Sequence, residues 1–318
     1  MNTQVGVSPA QIQDAYVAAC RLDVKAMKPG NVSEASAGHG MTSDDFFRSA
    51  SASADAMSDP RLKLGQRIHR AVAATRAAVG VNTNLGIVLL CAPLAQAALS
   101  ARPGDDLRVV LCRVLEEADI DDAEEVFAAI RLARPGGLGD ADRHDVAARA
   151  QVPLRDAMAV AANRDRIAGQ YASGFADLFG DALPRFRAVR PADREVGAGV
   201  LDLYLHLLSR YPDSHVARKH GTDAASNLQQ VGAAVYVAWR SASNGEVTDR
   251  LLAFDQRLKQ AGINPGTTAD LTVATVFLDR LLRAAVFNTG IPRRTTWRHL
   301  RLASSGAPLV STLLLGES

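Results

Sequence analysis

The chain has 318 residues, 47% of them hydrophobic and 22% charged. That is enough apolar surface to offset ordering entropy over one or two domains, which excludes a mostly disordered chain. A formal net charge of +2 excludes the strong basic excess of a nucleic-acid binder. The basic residues gather locally instead, at Arg218-Lys219-His220 and Arg293-Arg294, a distribution suited to small anions such as phosphates, with Arg293-Arg294 reading as a solvated face.

In chain order, Ser8-Pro9-Ala10-Gln11 supplies a serine cap, a proline at the first helical position and a glutamine at the third, predicting a helix to about Met27, where Lys28 precedes Pro29. Thr42 caps a second helix with Asp44 and Asp45 in its first turn. A third carries Ile68, Val72, Thr75 and Val79 on one face and closes at Gly80. Helical patterns continue over 85–101, 105–117, 121–133, 153–180, 192–210, 222–242, 247–262 and 268–287. The stretches 135–139 and 184–193 read as loops, and the tail 308–315 is ambiguous. Alternating, β-branched segments are scarce, so the expected fold is all-α: one compact multi-helix domain over residues 1–318, with its active site built from inter-helix loops. Cys20, Cys91 and Cys112 lie far apart in apolar helical contexts and are expected to be buried free thiols. The start of the chain lacks a signal pattern, and the apolar run Leu85 to Leu99, broken by Pro93 and Gln96, is short for a membrane span. A cytoplasmic protein without membrane or nucleic-acid partners is expected.

Five breaks between helices concentrate Gly, Pro, Asn, Asp, His and Lys. The first is Lys28-Pro29-Gly30-Asn31-Val32, followed by Gly38-His39-Gly40-Met41: a Pro-Gly turn, a lysine point charge for phosphate and a histidine able to donate or to exchange protons. In the second, Gly80-Val81-Asn82-Thr83-Asn84-Leu85-Gly86, polar residues open a very apolar helix; they cap it, or its free N–H groups receive an anion. The third, Pro135-Gly136-Gly137-Leu138-Gly139 with Asp142-Arg143-His144-Asp145, matches neither GxGxxG nor a Walker loop. The fourth, Asp213-Ser214-His215-Val216-Ala217-Arg218-Lys219-His220-Gly221, joins a carboxylate to four phosphate donors. Read as a helical turn, it sets His215 against Arg218. The fifth, Asn264-Pro265-Gly266-Thr267-Thr268-Ala269-Asp270, is a turn into a threonine-capped helix; Asp270 is either a capping carboxylate or a ligand for magnesium or ribose.

These breaks, in this order over about residues 10–285, resemble the triphosphoribosyl-dephospho-CoA synthase family. Lys28-Pro29-Gly30 is similar to its lysine-proline-glycine motif, Gly80-Val81-Asn82-Thr83 to its glycine-x-asparagine-threonine motif, Asp213-Ser214 to the start of its aspartate-serine/threonine-asparagine block, and Pro265-Gly266 through Ala269-Asp270 to its proline-glycine-x-x-alanine-aspartate motif. The resemblance implies a helical fold, ATP and magnesium (Mg2+), and transfer of triphosphoribose to a ribose hydroxyl of dephospho-CoA with adenine leaving. It implies nucleotide binding by Lys28, Gly30, Asn31, Asn82, Thr83, Asn84, Ser214, Arg218, Lys219, His220 and Gly266. Asp213 and Asp270 are the implied metal ligands and, with His39 and His215, the implied catalytic groups. The chain departs from the citrate-lyase branch at Asn84-Leu85, where a His-Lys pair is usual, at Gly40-Met41, and at His215 and His220. It therefore resembles a shorter, divergent branch. Transfer to a different acceptor in another cofactor pathway, such as a methanopterin-like one, and a non-catalytic nucleotide-binding homologue are the alternatives. A homodimer is among the expected assembly states.

Overall fold

The computed structural model describes residues 6–138, 143–189, 192, 197–241 and 246–288. Arg293-Arg294, the tail 308–315, Gly139 and Asp142 lie outside the described residues. Among those described are fourteen α-helices and no strand, as the all-α reading expects; two isolated bridges, Ser33–Ser36 and Gly38–Met41, brace the first break. No helix is long and apolar enough to cross a membrane, within the same residues.

Local chemistry sets the helix starts. In α1 (Pro9–Lys25) the Ser8 hydroxyl accepts from the Gln11 N–H, while the Gln11 carbonyl oxygen accepts from the Ser8 N–H. The helix stops two residues short of Met27 because Ala26 is already extended. At the start of α2 (Ser43–Ser58) the Asp45 carboxylate accepts from the N–H and the hydroxyl of Thr42, and α3 (Leu64–Val79) ends on Gly80 in the left-handed region.

The central element is α4 (Leu85–Ser100), which packs against α1, α2 and α3 and is buried over most of its length. It contains Pro93, which has no N–H for the carbonyl of Leu89 four residues back. The buried Tyr171 hydroxyl supplies the missing donor, 2.6 Å from Leu89 O. A proline inside a buried helix is tolerated here because a side chain from another helix replaces the lost backbone bond.

The chain continues through α5 (Leu107–Glu117) and α6 (Ile120–Ala133). The single helix expected over 153–180 is instead α7 (Leu154–Ala161), α8 (Arg166–Ser173) and a π-helical turn at Leu178–Ala182. Asp165 caps α8 by accepting from the N–H groups of Ile167 and Ala168, and Gly174 ends it in the left-handed region. The loop expected over 184–193 is helical at its start, in α9 (Leu183–Ala188), because Pro184 falls in the first turn, where its missing N–H costs nothing. Then follow α10 (Gly197–Arg210), α11 (Ser214–His220), α12 (Thr222–Ser241), α13 (Glu246–Gln260) and α14 (Gly266–Asn288).

Two apolar clusters result. The larger gathers α1 to α9 and the inner face of α14; the smaller gathers α11, α12 and α13. Helix α10 feeds both, giving Val200, Leu203 and Leu207 to the first and Leu201, Tyr204, Leu205 and Leu208 to the second. The thiols of Cys20 and Cys91 are buried in the larger cluster, Cys112 is partly exposed, and all three are free.

One buried charge fastens the first helices. Arg67 is fully buried and donates to the carbonyls of Ala56, Met57, Asp59 and Leu62 and to Gln96 Oε1, at 2.7–3.2 Å. The guanidinium thereby satisfies the C-terminal carbonyls of α2, where a cation is favoured. Burial lowers its pKa to about 10, which leaves it charged at neutral pH. Arg67→Met should lower the unfolding free energy by about 3 kcal/mol or more, because several buried acceptors lose their donors together. Arg67→Lys should recover only part of that, since an ammonium cannot reproduce the fork. Urea unfolding of the three proteins checks both.

Candidate functional site

All five breaks open onto one cavity of about 1120 Å³. A drug-sized ligand occupies a site of roughly 300–1,000 Å³, so this one is large enough to enclose a nucleotide.

The first break is held rigidly. Tyr204 donates to Pro29 O at 2.7 Å, and the buried Asp255 accepts from the Gly30 N–H at 2.8 Å and from Ser36 Oγ at 2.7 Å. Gly30 has φ +81°, and a Cβ there would lie 2.8 Å from Pro265 Cδ, so only glycine fits between the first and fifth breaks. Its role is this close approach; it is not part of the cavity wall.

Lys28 also has another task than the expected phosphate clamp. It is fully buried and absent from the wall, and its ammonium donates to Asp23 Oδ2 at 2.9 Å, Asp23 O at 2.9 Å and Val32 O at 3.5 Å. Asp23, on the last turn of α1, is the residue that reaches the wall, with Oδ1 lacking a hydrogen-bond partner. Burial pushes its pKa up, against the opposing pull of Lys28. Asn31 lines the wall beside it, donating from Nδ2 to Asn264 Oδ1 at 2.9 Å and leaving its own Oδ1 unpartnered. His39 lines it too, its Nε2 2.9 Å from Gly30 O and donating to that carbonyl.

Asp213, expected as a metal ligand and catalytic group, is corrected by its surroundings. It is buried, absent from the wall, and both oxygens are engaged: Oδ1 accepts from the Val216 N–H at 3.0 Å, and Oδ2 from the N–H and the hydroxyl of Thr268, each at 2.8 Å. It caps α11 and ties it to the first turn of α14. Thr267 completes the tie, accepting from Ser214 Oγ at 3.0 Å and from the His215 N–H at 3.2 Å. Ser214 lines the wall, yet its hydroxyl is engaged with Thr267 and with the Arg166 N–H.

Asp270 is the carboxyl left uncommitted. It lines the cavity and makes no hydrogen bond with any described residue. Burial raises its pKa well above the usual carboxylate range; the charges of Asp213 and Asp23 add to the rise and Arg218 opposes it. It lies over Gly86, in the first turn of α4, where any Cβ would overlap its carboxylate. The second break shapes this spot. Asn82 Oδ1 accepts from the Leu85 N–H at 3.1 Å, Thr83 shares a hydrogen bond with Ser49, and Asn84 Nδ2 reaches Ser53 Oγ at 3.5 Å, with all three residues on the wall.

The fourth break supplies cations. Arg218 donates to Asp165 Oδ2 at 3.1 Å, to Gly136 O at 3.3 Å and to His215 Nδ1 at 3.3 Å. Arginine can only donate, so Nδ1 accepts and the His215 proton resides on Nε2, which is buried at the wall without a partner. Burial and the neighbouring cations lower the His215 pKa to about 4, making it neutral near pH 7. Gly266 lies under its ring, 3.4 Å separating an added Cβ from Cγ. Gly136 and Gly137 let the fourth break pack closely: a Cβ on Gly136 would lie 2.8 Å from Lys219 Cε, and one on Gly137 would lie 2.9 Å from the backbone oxygen of Arg218. His220 is exposed, lies off the wall and bonds Gly262 O at 3.2 Å, so it has no phosphate-facing geometry.

A sixth element was not foreseen: the turn Asn163-Arg164-Asp165-Arg166 between α7 and α8. Arg166 lies flat on the Tyr211 ring, 3.2 Å from its centroid, and donates to Asp177 Oδ2 at 2.8 Å. Arg134, Arg143, Arg164, Arg218 and Lys219 line the cavity as well, together with the acids Asp145, Asp165 and Asp177. The signal was present as Asp165 capping a new helix, masked by apolar residues that continue the pattern on both sides. Among the described residues no group of three or more His, Cys, Asp or Glu is arranged to hold a metal ion.

Residues 9–288 match a family model described as CitG, ATP:dephospho-CoA triphosphoribosyl transferase. A protein of Citrobacter koseri named as a probable 2-(5''-triphosphoribosyl)-3'-dephosphocoenzyme-A synthase is 26% identical over 216 residues, which span 65% of this chain and 63% of that protein. A like-named protein of Stutzerimonas stutzeri is 33% identical over 112 residues, 35% of this chain and 38% of its own length. A crystal structure from Archaeoglobus fulgidus, provisionally assigned as a triphosphoribosyl-dephospho-CoA synthase, superposes with a TM-score of 0.57 at 26% identity, covering 72% of this chain and 95% of the other.

The His215 geometry makes stability depend on pH. Its folded-state pKa of about 4 lies below the unfolded value of about 6.5. The unfolded chain therefore binds a proton in that window that the folded one refuses, so this contribution is full above about pH 6.5 and lost as pH falls toward 4. Relative to His215→Gln, the wild-type chain should lose on the order of 3 kcal/mol between those limits, read from urea unfolding at stepped pH.

Proposed function

The chain belongs to the ATP:dephospho-CoA triphosphoribosyl transferase family, and we propose that it transfers the triphosphoribosyl group of ATP to a hydroxyl of dephospho-CoA and releases adenine. The observation that carries this reading is the convergence of all five helix breaks on one nucleotide-sized cavity, lined by arginines and by the carboxyls of Asp23 and Asp270. The free thiols fit a reducing compartment, so we place the reaction in the cytoplasm.

The triphosphate is retained in this reaction, so the site must clamp it rather than cleave it. Arg218, held by Asp165, and Arg166, held by Asp177 and stacked on Tyr211, are pre-aimed guanidiniums for bidentate phosphate contact. Lys219, Arg134, Arg143 and Arg164 extend the cationic wall toward a second anionic substrate. Cleavage at the anomeric carbon proceeds through a transition state with oxocarbenium character, which a nearby carboxylate stabilises. Asp270 is that carboxylate. Positive charge developing beside it opposes the burial that raises its pKa, and its uncommitted oxygens can take the proton of the attacking hydroxyl. Neutral His215 donates from Nε2 without carrying charge.

Magnesium is implied by the chemistry of a bound triphosphate, and of the two expected ligands Asp270 is the one with oxygens to offer, since both oxygens of Asp213 are engaged. Asp270 would hold the ion, with phosphate oxygens and water as its other ligands. Bound there, magnesium would neutralise phosphate charge.

Purified protein with ATP, magnesium and dephospho-CoA should release adenine, measured by chromatography. No adenine under these conditions would remove the assignment. Asp270→Asn should lower kcat by roughly 10²- to 10⁴-fold with the fold intact by circular dichroism. Gly86→Ala, ordinarily harmless inside a helix, should displace the Asp270 carboxyl and cost on the order of 10²-fold in kcat.

A further inference from the structure

A buried polar atom without a partner at a cavity wall marks a place where a ligand atom completes the hydrogen bonding. His215 Nε2 and Asn31 Oδ1 are two such atoms. The same turn seats both: Asn264 Oδ1 accepts from Asn31 Nδ2 at 2.9 Å, Gly266 lies under the His215 ring, and Thr267 Oγ1 accepts from the His215 N–H at 3.2 Å. Their polarities are fixed by these partners. Arg218 donates to Nδ1, so Nε2 is a donor; Asn31 donates from Nδ2 to Asn264, so Oδ1 is an acceptor.

Neither a phosphate nor a cation satisfies this pair. A phosphate would suit His215 but would face the oxygens of Asn31 and Asp23. A cation would suit Asn31 but would face the His215 N–H. The fit is a rigid group that accepts at one atom and donates at its neighbour, which describes the edge of adenine carrying the 6-amino group. We propose that His215 and Asn31 read this edge, His215 Nε2–H donating to a ring nitrogen (N1 or N7) and Asn31 Oδ1 accepting from the 6-amino group. The pair then sets purine choice: a 6-oxo group, as in hypoxanthine or guanine, meets an acceptor with an acceptor. The assignment rests on the transferase reading above, in which the base of ATP is the leaving group. The depressed pKa of His215, about 4, keeps the donor pattern constant through the cellular pH range.

The test uses the full chain with ATP, inosine triphosphate, purine riboside triphosphate, which lacks the 6-amino group, and 3′-deoxy-ATP. Calorimetry reads binding and chromatography reads base release. Expected is a roughly 10- to 100-fold preference for ATP over both 6-position analogues in kcat/KM, with little preference left in Asn31→Leu and His215→Phe. The analogue series on the unaltered protein decides the matter even if a variant fails to fold. Equal use of ATP and purine riboside triphosphate would overturn the assignment, as would a penalty that follows the missing ribose hydroxyl rather than the 6-substituent. ATP that neither binds nor loses adenine would remove the transferase reading and this assignment with it, whereas ATP turnover without purine preference removes the assignment alone.

Discussion

One buried carboxylate, Asp213, sets the geometry on which the site depends. One of its oxygens starts α11 and the other holds the first turn of α14, with no cation beside it. A buried charge without a counter-ion is costly, and here it is offset by hydrogen bonds at both oxygens and by two helix starts whose orphan N–H groups need an acceptor. The result is that His215, Arg218 and Asp270, which come from breaks some fifty residues apart in sequence, share one wall. Thr267 and Ser214 reinforce the same joint. Asp270 is left uncommitted because Asp213 takes the structural load.

Charge is partitioned around the cavity. On one side are Asp23, Asn31 and Asp270, presenting acceptors against the apolar cluster that holds Cys20 and Cys91; burial and the carboxyls lift the pKa of Cys20 beyond the usual thiol range. On the other are Arg218 and Arg166, aimed by Asp165 and Asp177, with Arg134, Arg143, Arg164 and Lys219 also on the wall. Lys28 belongs to the acceptor side, yet all its donors turn inward, so it moderates the charge of Asp23 instead of reaching a substrate. A substrate with a neutral base at one end and a polyanion at the other, as proposed above, would be oriented by this division before any specific contact is made.

Helix starts were legible where a cap and a hydrophobic period coincided, as at Ser8, Thr42 and the Gly80 stop. The turn at 163–166 was not, because Ala, Ile and Val continue the period across it and only Asp165 announces a new helix. The five breaks were legible as a group, since polar and flexible residues are rare elsewhere in so apolar a chain. Individual roles within them were not. Asp213 and Asp270 look alike in sequence, each an acid at a helix start beside hydroxyl residues; only packing shows that Thr268 and Val216 saturate the first and that Gly86 makes room for the second. Lys28 and Asp23 are five residues apart, and their pairing follows from the turn at Pro29, which spacing alone does not reveal. Gly30 was seen as a turn residue, but its need for φ +81° beside Pro265 depends on a neighbour more than two hundred positions away.

Arg67 has a consequence for how the protein meets its ionic surroundings. Its charge is held by carbonyl dipoles and the Gln96 amide, all inside the fold, where dissolved ions have no access. Attraction between the cationic wall and an incoming polyanion operates through water and weakens over a Debye length, about 8 Å at physiological ionic strength. Added salt thus acts on capture while leaving the clasp between α2, α3 and α4 untouched. The molecule can tune its encounter rate to the electrolyte without tuning its integrity.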